Sequence, residues 1–241
     1  MPFWLRLFGT TGIMPFDLRS SMARYIPLYR QSFGYSCGPA SLLMVIGSLD
    51  EEMAMNKEQE ITIWEDANLV ESRATSAHGL ALAALRRGFG ARVYANSIGI
   101  GFTSRLKEHF PDIDLERMDD LFEKTRLEAK KMGLEEMIED ITLDTLREEL
   151  RKGLTPIVLI STGLMGETEE IPHWVVVTGI DEGSVTIQNP EHARVEKYPL
   201  VRFAKYLGFR GSNRFVCIFG QQGTPADLSM PDNGPDRRTT L

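Results

Sequence analysis

The stretch Arg30 to Ser48, R-Q-S-F-G-Y-S-C-G-P-A-S-L-L-M-V-I-G-S, sets a thiol at the mouth of an apolar helical segment, with a glutamine six residues upstream. The first N–H groups of a helix have no intrahelical partner, and the helix dipole favours negative charge at that end. Both effects favour thiolate over thiol at Cys37, and thiolate is the nucleophilic form. An amide N–H from Gln31 is suited to receive the negative oxygen that develops when a carbonyl is attacked. The plainer reading of Cys37 is packing, since free cysteines are often buried and inert.

A base for that nucleophile is found much later. Pro172 to Ile180 reads P-H-W-V-V-V-T-G-I, a β-branched run bounded by Pro and Gly, as expected of a buried strand. His173 stands at its start. A second strand, Ser184 to Gln188, follows the Asp181-Glu182-Gly183 turn and ends at Asn189-Pro190. Strands joined by a short turn lie side by side, so His173 and Asn189 come to the same end of the sheet. Asn189 then holds one ring nitrogen, and the other is free to take a proton from Cys37. Taken singly, a histidine at a strand start is more often structural, and Asn-Pro is usually a turn. It is the combination with Gln31 and Cys37-Gly38-Pro39-Ala40 that points to nucleophilic catalysis.

On these residues the chain resembles the papain-like peptidases of the bacteriocin-leader (double-glycine) type, and more closely a family of their relatives. The resemblance extends to Glu60-Ile-Thr-Ile-Trp64-Glu65, to His78-Gly79-Leu80 with Arg86-Arg87-Gly88-Phe89, and to Gly153-Leu-Thr-Pro156-Ile. It covers about residues 27 to 220, and the Cys-to-His separation of 136 residues is in the papain range. It implies a papain-like α+β fold, with the Cys on an N-terminal helical part and the His on a C-terminal antiparallel sheet. It also implies a site made of Gln31, Cys37, His173 and Asn189, acting on a peptide or protein substrate without a cofactor. At the third position Asn189 stands where leader peptidases more often have Asp. The same thioester chemistry also serves acyl or peptidyl transfer. A silent peptide-binding module is the third reading, and the intact four-residue set argues against it.

Composition agrees with an ordinary globule. The 241 residues are 42% apolar and 25% charged, with two cysteines, too few and too far apart for a disulfide scaffold. No run of 18 apolar residues suggests a membrane span, and the apolar start lacks the layout of a signal peptide, so a cytoplasmic protein is expected. The formal charge of −7 is concentrated in residues 111 to 150, which hold 14 Asp/Glu against 6 Lys/Arg. The balance argues against nucleic-acid binding. The acidic block reads as a solvated helix face, or as a cleft rim that attracts basic peptides. No two histidines lie three or four residues apart and no CxxC occurs, which leaves zinc chemistry unsupported. His192 lies near Asn189 and is a rival base, but His173 has the better strand context.

The elements that must position these residues follow from pattern. Helices are expected over Cys37 to Leu49, Glu58 to Val70, Gly79 to Arg87, Phe102 to Phe110 and Leu143 to Arg151, the last capped by Thr142. Residues 114 to 140 read as one or two amphipathic helices with Leu115, Met118, Phe122, Leu134, Met137 and Ile138 inward. Strands are expected over Ala91 to Asn96, Pro156 to Ser161, His173 to Ile180, Ser184 to Gln188 and Asn213 to Phe219, with a helix from Pro199 to Leu207. Residues 1 to 26 form an N-terminal extension. Residues 221 to 241, rich in Pro, Gly and Asp, are expected to be a disordered tail.

Overall fold

A computed structural model describes residues 24–69, 73–101 and 103–221. The expectations for the extension up to residue 23 and for the tail from residue 222 lie outside the described residues. Three helices come first: α1 (Cys37–Leu49), α2 (Lys57–Ala67) and α3 (Ala77–Arg86). Gly88, at φ +83, ends the third and turns the chain into β1 (Phe89–Ala95). Two more helices, α4 (Thr103–His109) and α5 (Leu115–Lys131), precede β2 (Glu135–Ile138) and α6 (Leu143–Arg151). The rest is β3 (Thr155–Ser161), a 3-10 turn (Thr162–Met165), β4 (Pro172–Ile180), β5 (Ser184–Asn189), β6 (Arg194–Pro199), α7 (Leu200–Lys205) and β7 (Arg214–Gln221).

The strands form one seven-stranded sheet in the order β2-β1-β7-β3-β4-β5-β6. All neighbours are antiparallel except β1 and β2. Alternate residues of the central strands face opposite layers, as the pleat requires. Ile157, Leu159, Trp174, Val176, Val216 and Ile218 pack with α1 and α3. Val158, Ile160, Val175, Val177, Phe215 and Cys217 pack with Leu146 of α6 and Phe203 of α7. Covering both faces explains why these strands are continuous apolar runs instead of alternating ones. It also places Cys37 and Cys217 in clusters on opposite sides of the sheet, and both are free thiols.

The α+β class is as expected, with three corrections. The sheet is not confined to the C-terminal part, and it is mixed: β1 and β2 come from the helical half. Residues 135–138 are not helical. Gly133, at φ +95, closes α5, Leu134 drops into the core, and the chain then pairs in parallel with β1. Met137 and Ile138 are therefore 40% and 44% exposed on an edge strand, not inward. Glu136 turns inward instead and meets His78, Arg126 and Lys130. The third correction is β6, a polar edge strand where no element was expected, and α7 is correspondingly shorter than Pro199 to Leu207.

Helix packing fixes the frame of the site at one close approach. A Cβ on Gly79 would stand 2.3 Å from the Ala67 carbonyl oxygen, so α2 and α3 touch backbone to backbone. Gly79→Ala should therefore destabilise the protein by at least about 1–3 kcal/mol, the usual range for overpacking. Chemical denaturation with an unchanged m-value would register the loss.

Candidate active site

Cys37 is the first residue of α1, and Pro39 sits two positions on, where its missing N–H costs nothing. The loop before the helix is braced from α2. Glu60 is fully buried, and its carboxylate accepts from the Tyr29 hydroxyl at 2.9 Å, from the Ser32 N–H at 2.9 Å and from the Ser36 hydroxyl. Ser36 is the N-cap of α1, but its side chain makes no cap bond because it is directed to Glu60. A buried carboxylate with three donors is a strong clamp, since hydrogen bonds to charged groups exceed neutral ones. It ties the loop carrying Gln31 to the helix carrying Cys37.

His173 is 5% exposed at the start of β4, and its Nε2 lies 3.0 Å from Oδ1 of Asn189, the last residue of β5. The amide of Asn189 is oriented by its other partners. Oδ1 also accepts from the Glu191 N–H at 3.0 Å, and Nδ2 donates to Glu196 on β6 at 3.2 Å. With Nε2 so engaged, Nδ1 is the nitrogen left to face the Cys37 thiol, whose ionisation is coupled to the His173 ring.

Burial pushes the Cys37 thiol up, but the charge and hydrogen bond of His173 and the N–H groups of Trp174 and Gly38 outweigh it and leave the thiol below its ordinary value. Burial likewise opposes the charged form of His173. The Cys37 charge, the Cys37 and Asn189 hydrogen bonds and the charge of Glu191 prevail, and the imidazole is raised to about 9. The two shifts share a cause, since each group favours the charged form of the other. Cys217 is the contrast: burial and the Glu149 charge raise it well above an ordinary thiol.

Gln31 belongs to the same region. Its backbone N–H donates to the Pro190 carbonyl at 2.8 Å, next to Asn189. Its side-chain amide donates to the Phe33 carbonyl at 2.8 Å, and its Oε1 is buried without a partner. The structure thus sets Cys37, His173 and Asn189 in one row, with His173 hydrogen-bonded to Asn189, and ties the Gln31 backbone to Pro190 beside it. His192 is exposed. His78 is buried on α3 against Glu136, and burial pulls it down to about 4, so its ring is neutral.

A cavity of about 280 Å³ adjoins the row, lined by Cys37, His173 and Trp174 with walls of Leu69, Ile100, Leu106, Phe110, Leu159 and Ile171. None of its described lining comes from residues 111 to 150, so the acidic block forms no part of this wall. Among the described residues, the sole formal charge in the lining beside the Cys37–His173 pair is a cation, Arg214. Glu60, Glu196, Thr75 and Arg214 were not singled out as functional from the sequence. Of these only Glu60 carried a signal, its place in the resembling segment Glu60-Ile-Thr-Ile-Trp64-Glu65. Among the described residues, no helix is long and apolar enough to cross a membrane.

A model of the Peptidase_C39 like family matches residues 26–202, a span that holds Gln31, Cys37, His173 and Asn189. No curated protein matches the chain. Among solved structures it is similar to a double glycine motif protease from an AMS/PCAT transporter, crystallised in complex with the leader peptide. Identity is 17% over 83% of this chain and 94% of that one, with a TM-score of 0.45.

Proposed function

The chain belongs to the Peptidase_C39 like family, and on that premise we propose that it is a cysteine peptidase working through Cys37, His173 and Asn189. The observation that carries the reading is the His173 ring, held by Asn189 and lining one apolar cavity together with the Cys37 thiol. In this reading the Cys37 thiolate attacks the scissile carbonyl. The negative oxygen is received by the Cys37 backbone N–H and by the Gln31 amide hydrogen not committed to Phe33. His173, as imidazolium, gives its proton to the leaving amine. It then takes one from the water that releases the thioester. Asn189 orients the ring and keeps Nδ1 toward sulfur.

The pair sets the pH behaviour. Thiolate forms as pH rises through the lowered Cys37 value, so turnover climbs below the range of a free thiol. The acid for the leaving group is lost as pH rises through about 9, so turnover falls there. Iodoacetamide near neutral pH should label Cys37 much faster than Cys217, which lies in the apolar layer between β7 and α6. Labelling followed by peptide mapping measures this, and trapping an acyl-enzyme on Cys37 with activated peptide esters tests the chemistry itself. Equal labelling of the two thiols, or acylation elsewhere, sinks the assignment.

A further inference from the structure

We infer that the cavity beside Cys37 is a specificity pocket for an apolar substrate group that carries a carboxylate, with Arg214 as its anchor. The inference rests on the peptidase reading and names the substrate chemistry of that site. Arg214 opens β7 and lines the cavity, yet only 3% of it is exposed. Its Nε donates to Ser212 Oγ at 2.7 Å, while Nη2 is buried with no partner. Among the described residues, no Asp or Glu lines the cavity, and burial alone, with no carboxylate partner, acts on the charge of Arg214.

Buried guanidinium groups are almost always paired, because an uncompensated charge away from water is costly. An arginine left in this state at the wall of a pocket presents a fixed, planar donor set matched to carboxylate. Burial lowers Arg214 to about 10, so it remains a cation at neutral pH. The neighbouring ring of His78 is neutral and adds no second positive charge.

Two further features agree. The Thr75 hydroxyl is also buried, unpartnered and part of a residue in the lining, a second polar group without a partner at this cavity. Gly101, at φ +73, passes close over the guanidinium: a Cβ there would stand 3.2 Å from Nη2 and 2.5 Å from Ser212 Oγ. The group is thus held against one wall while the remaining walls are apolar. The volume is at the small end for ligand pockets, which suits one substrate residue and not a whole peptide. A carboxylate reaches such a pocket from an Asp or Glu side chain within a peptide, or from the α-carboxylate at a peptide's end. Basic residues, which the acidic block alone suggested as the preferred class, would meet a like charge here.

The test uses Cys37→Ala protein, which binds without turnover, and three matched hexapeptide pools. One has a central Glu and an amidated end, one a central Gln and an amidated end, and one a central Gln and a free carboxylate end. Equilibrium dialysis with mass spectrometry reads the bound fraction. At least one acidic pool should be held about 10- to 100-fold more tightly than the neutral pool, the range for a hydrogen bond to a charged group. Which pool wins tells the side-chain source from the terminal one. Adding Arg214→Gln should erase the preference, and Arg214→Lys should retain part of it if the glutamine variant does not fold. Equal retention of all three pools, or a preference that survives Arg214→Gln, overturns the inference. Selective acylation of Cys37 in the native protein, scored in parallel, reports on the peptidase reading separately, so either can fail alone.

Discussion

Cys37→Ala and His173→Ala are each expected to lower kcat by about 10⁶-fold, and the double variant to be no worse than either single one. Nucleophile and base act as a unit, so their losses do not add. The surroundings supply no substitute. The Ser36 hydroxyl is committed to Glu60, the Ser41 hydroxyl lies 3.3 Å from the Trp174 carbonyl, and His192 is exposed and does not line the cavity that Cys37 and His173 share. Neither substitution should unfold the protein, because Asn189 keeps its bonds to Glu191 and Glu196 without the imidazole. Steady-state rates on an acyl-enzyme-forming ester, with melting curves for all three variants, check both parts. Additive losses would mean that His173 does not serve Cys37.

The parts of the site that were readable in the sequence are those whose chemistry is local. Cys37 stands at a helix start marked by Gly38-Pro39 and an apolar run, and His173 and Asn189 bracket one hairpin. Each could be placed from its own neighbours, and the structure puts them in one row. The α1 and α6 helices were legible for the same reason: periodicity and caps lie within one turn, as in the reciprocal Thr142–Thr145 capping box. What escaped was long-range or polar. Glu60 serves Ser36 from 24 residues away. Arg214 looks like an ordinary strand-start cation until the cavity around it is built. Residues 135–138 have helical spacing, and only pairing with β1 makes them a strand. Edge strands such as β2 and β6 carry charges that guard them from unwanted pairing, and those charges remove the apolar alternation by which strands are recognised. The mixed sheet was invisible because nothing local tells that β1 will lie against β7, more than a hundred residues later.

The choice of Asn over Asp at position 189 has a physical reason in this structure, and it makes the second large prediction. Asn189 is fully buried; its Oδ1 receives His173, and its Nδ2 donates to Glu196 at 3.2 Å. Glu196 is itself held by the Tyr198 hydroxyl. Asn189→Asp keeps an acceptor for His173 but replaces the donor by a second carboxylate oxygen facing Glu196. Two unit charges at that separation repel by on the order of 5 kcal/mol at an effective dielectric of 20. The pair must take up a proton or move apart, and moving apart rotates the histidine off sulfur. The single variant should therefore lose about 10²-fold or more in kcat/KM, although Asp is the commoner residue in the leader peptidases that the chain resembles. The loss should shrink as pH falls, because protonation of the introduced carboxylate restores a donor for Glu196. Adding Glu196→Gln should bring activity back to within about tenfold of the parent, since the amide so introduced donates to the new carboxylate while its oxygen still accepts from Tyr198. A double-mutant cycle across pH measures the coupling directly. An Asn189→Asp variant as active as the parent, or a double variant no better than the single, would show that Glu196 does not govern the residue that orients His173.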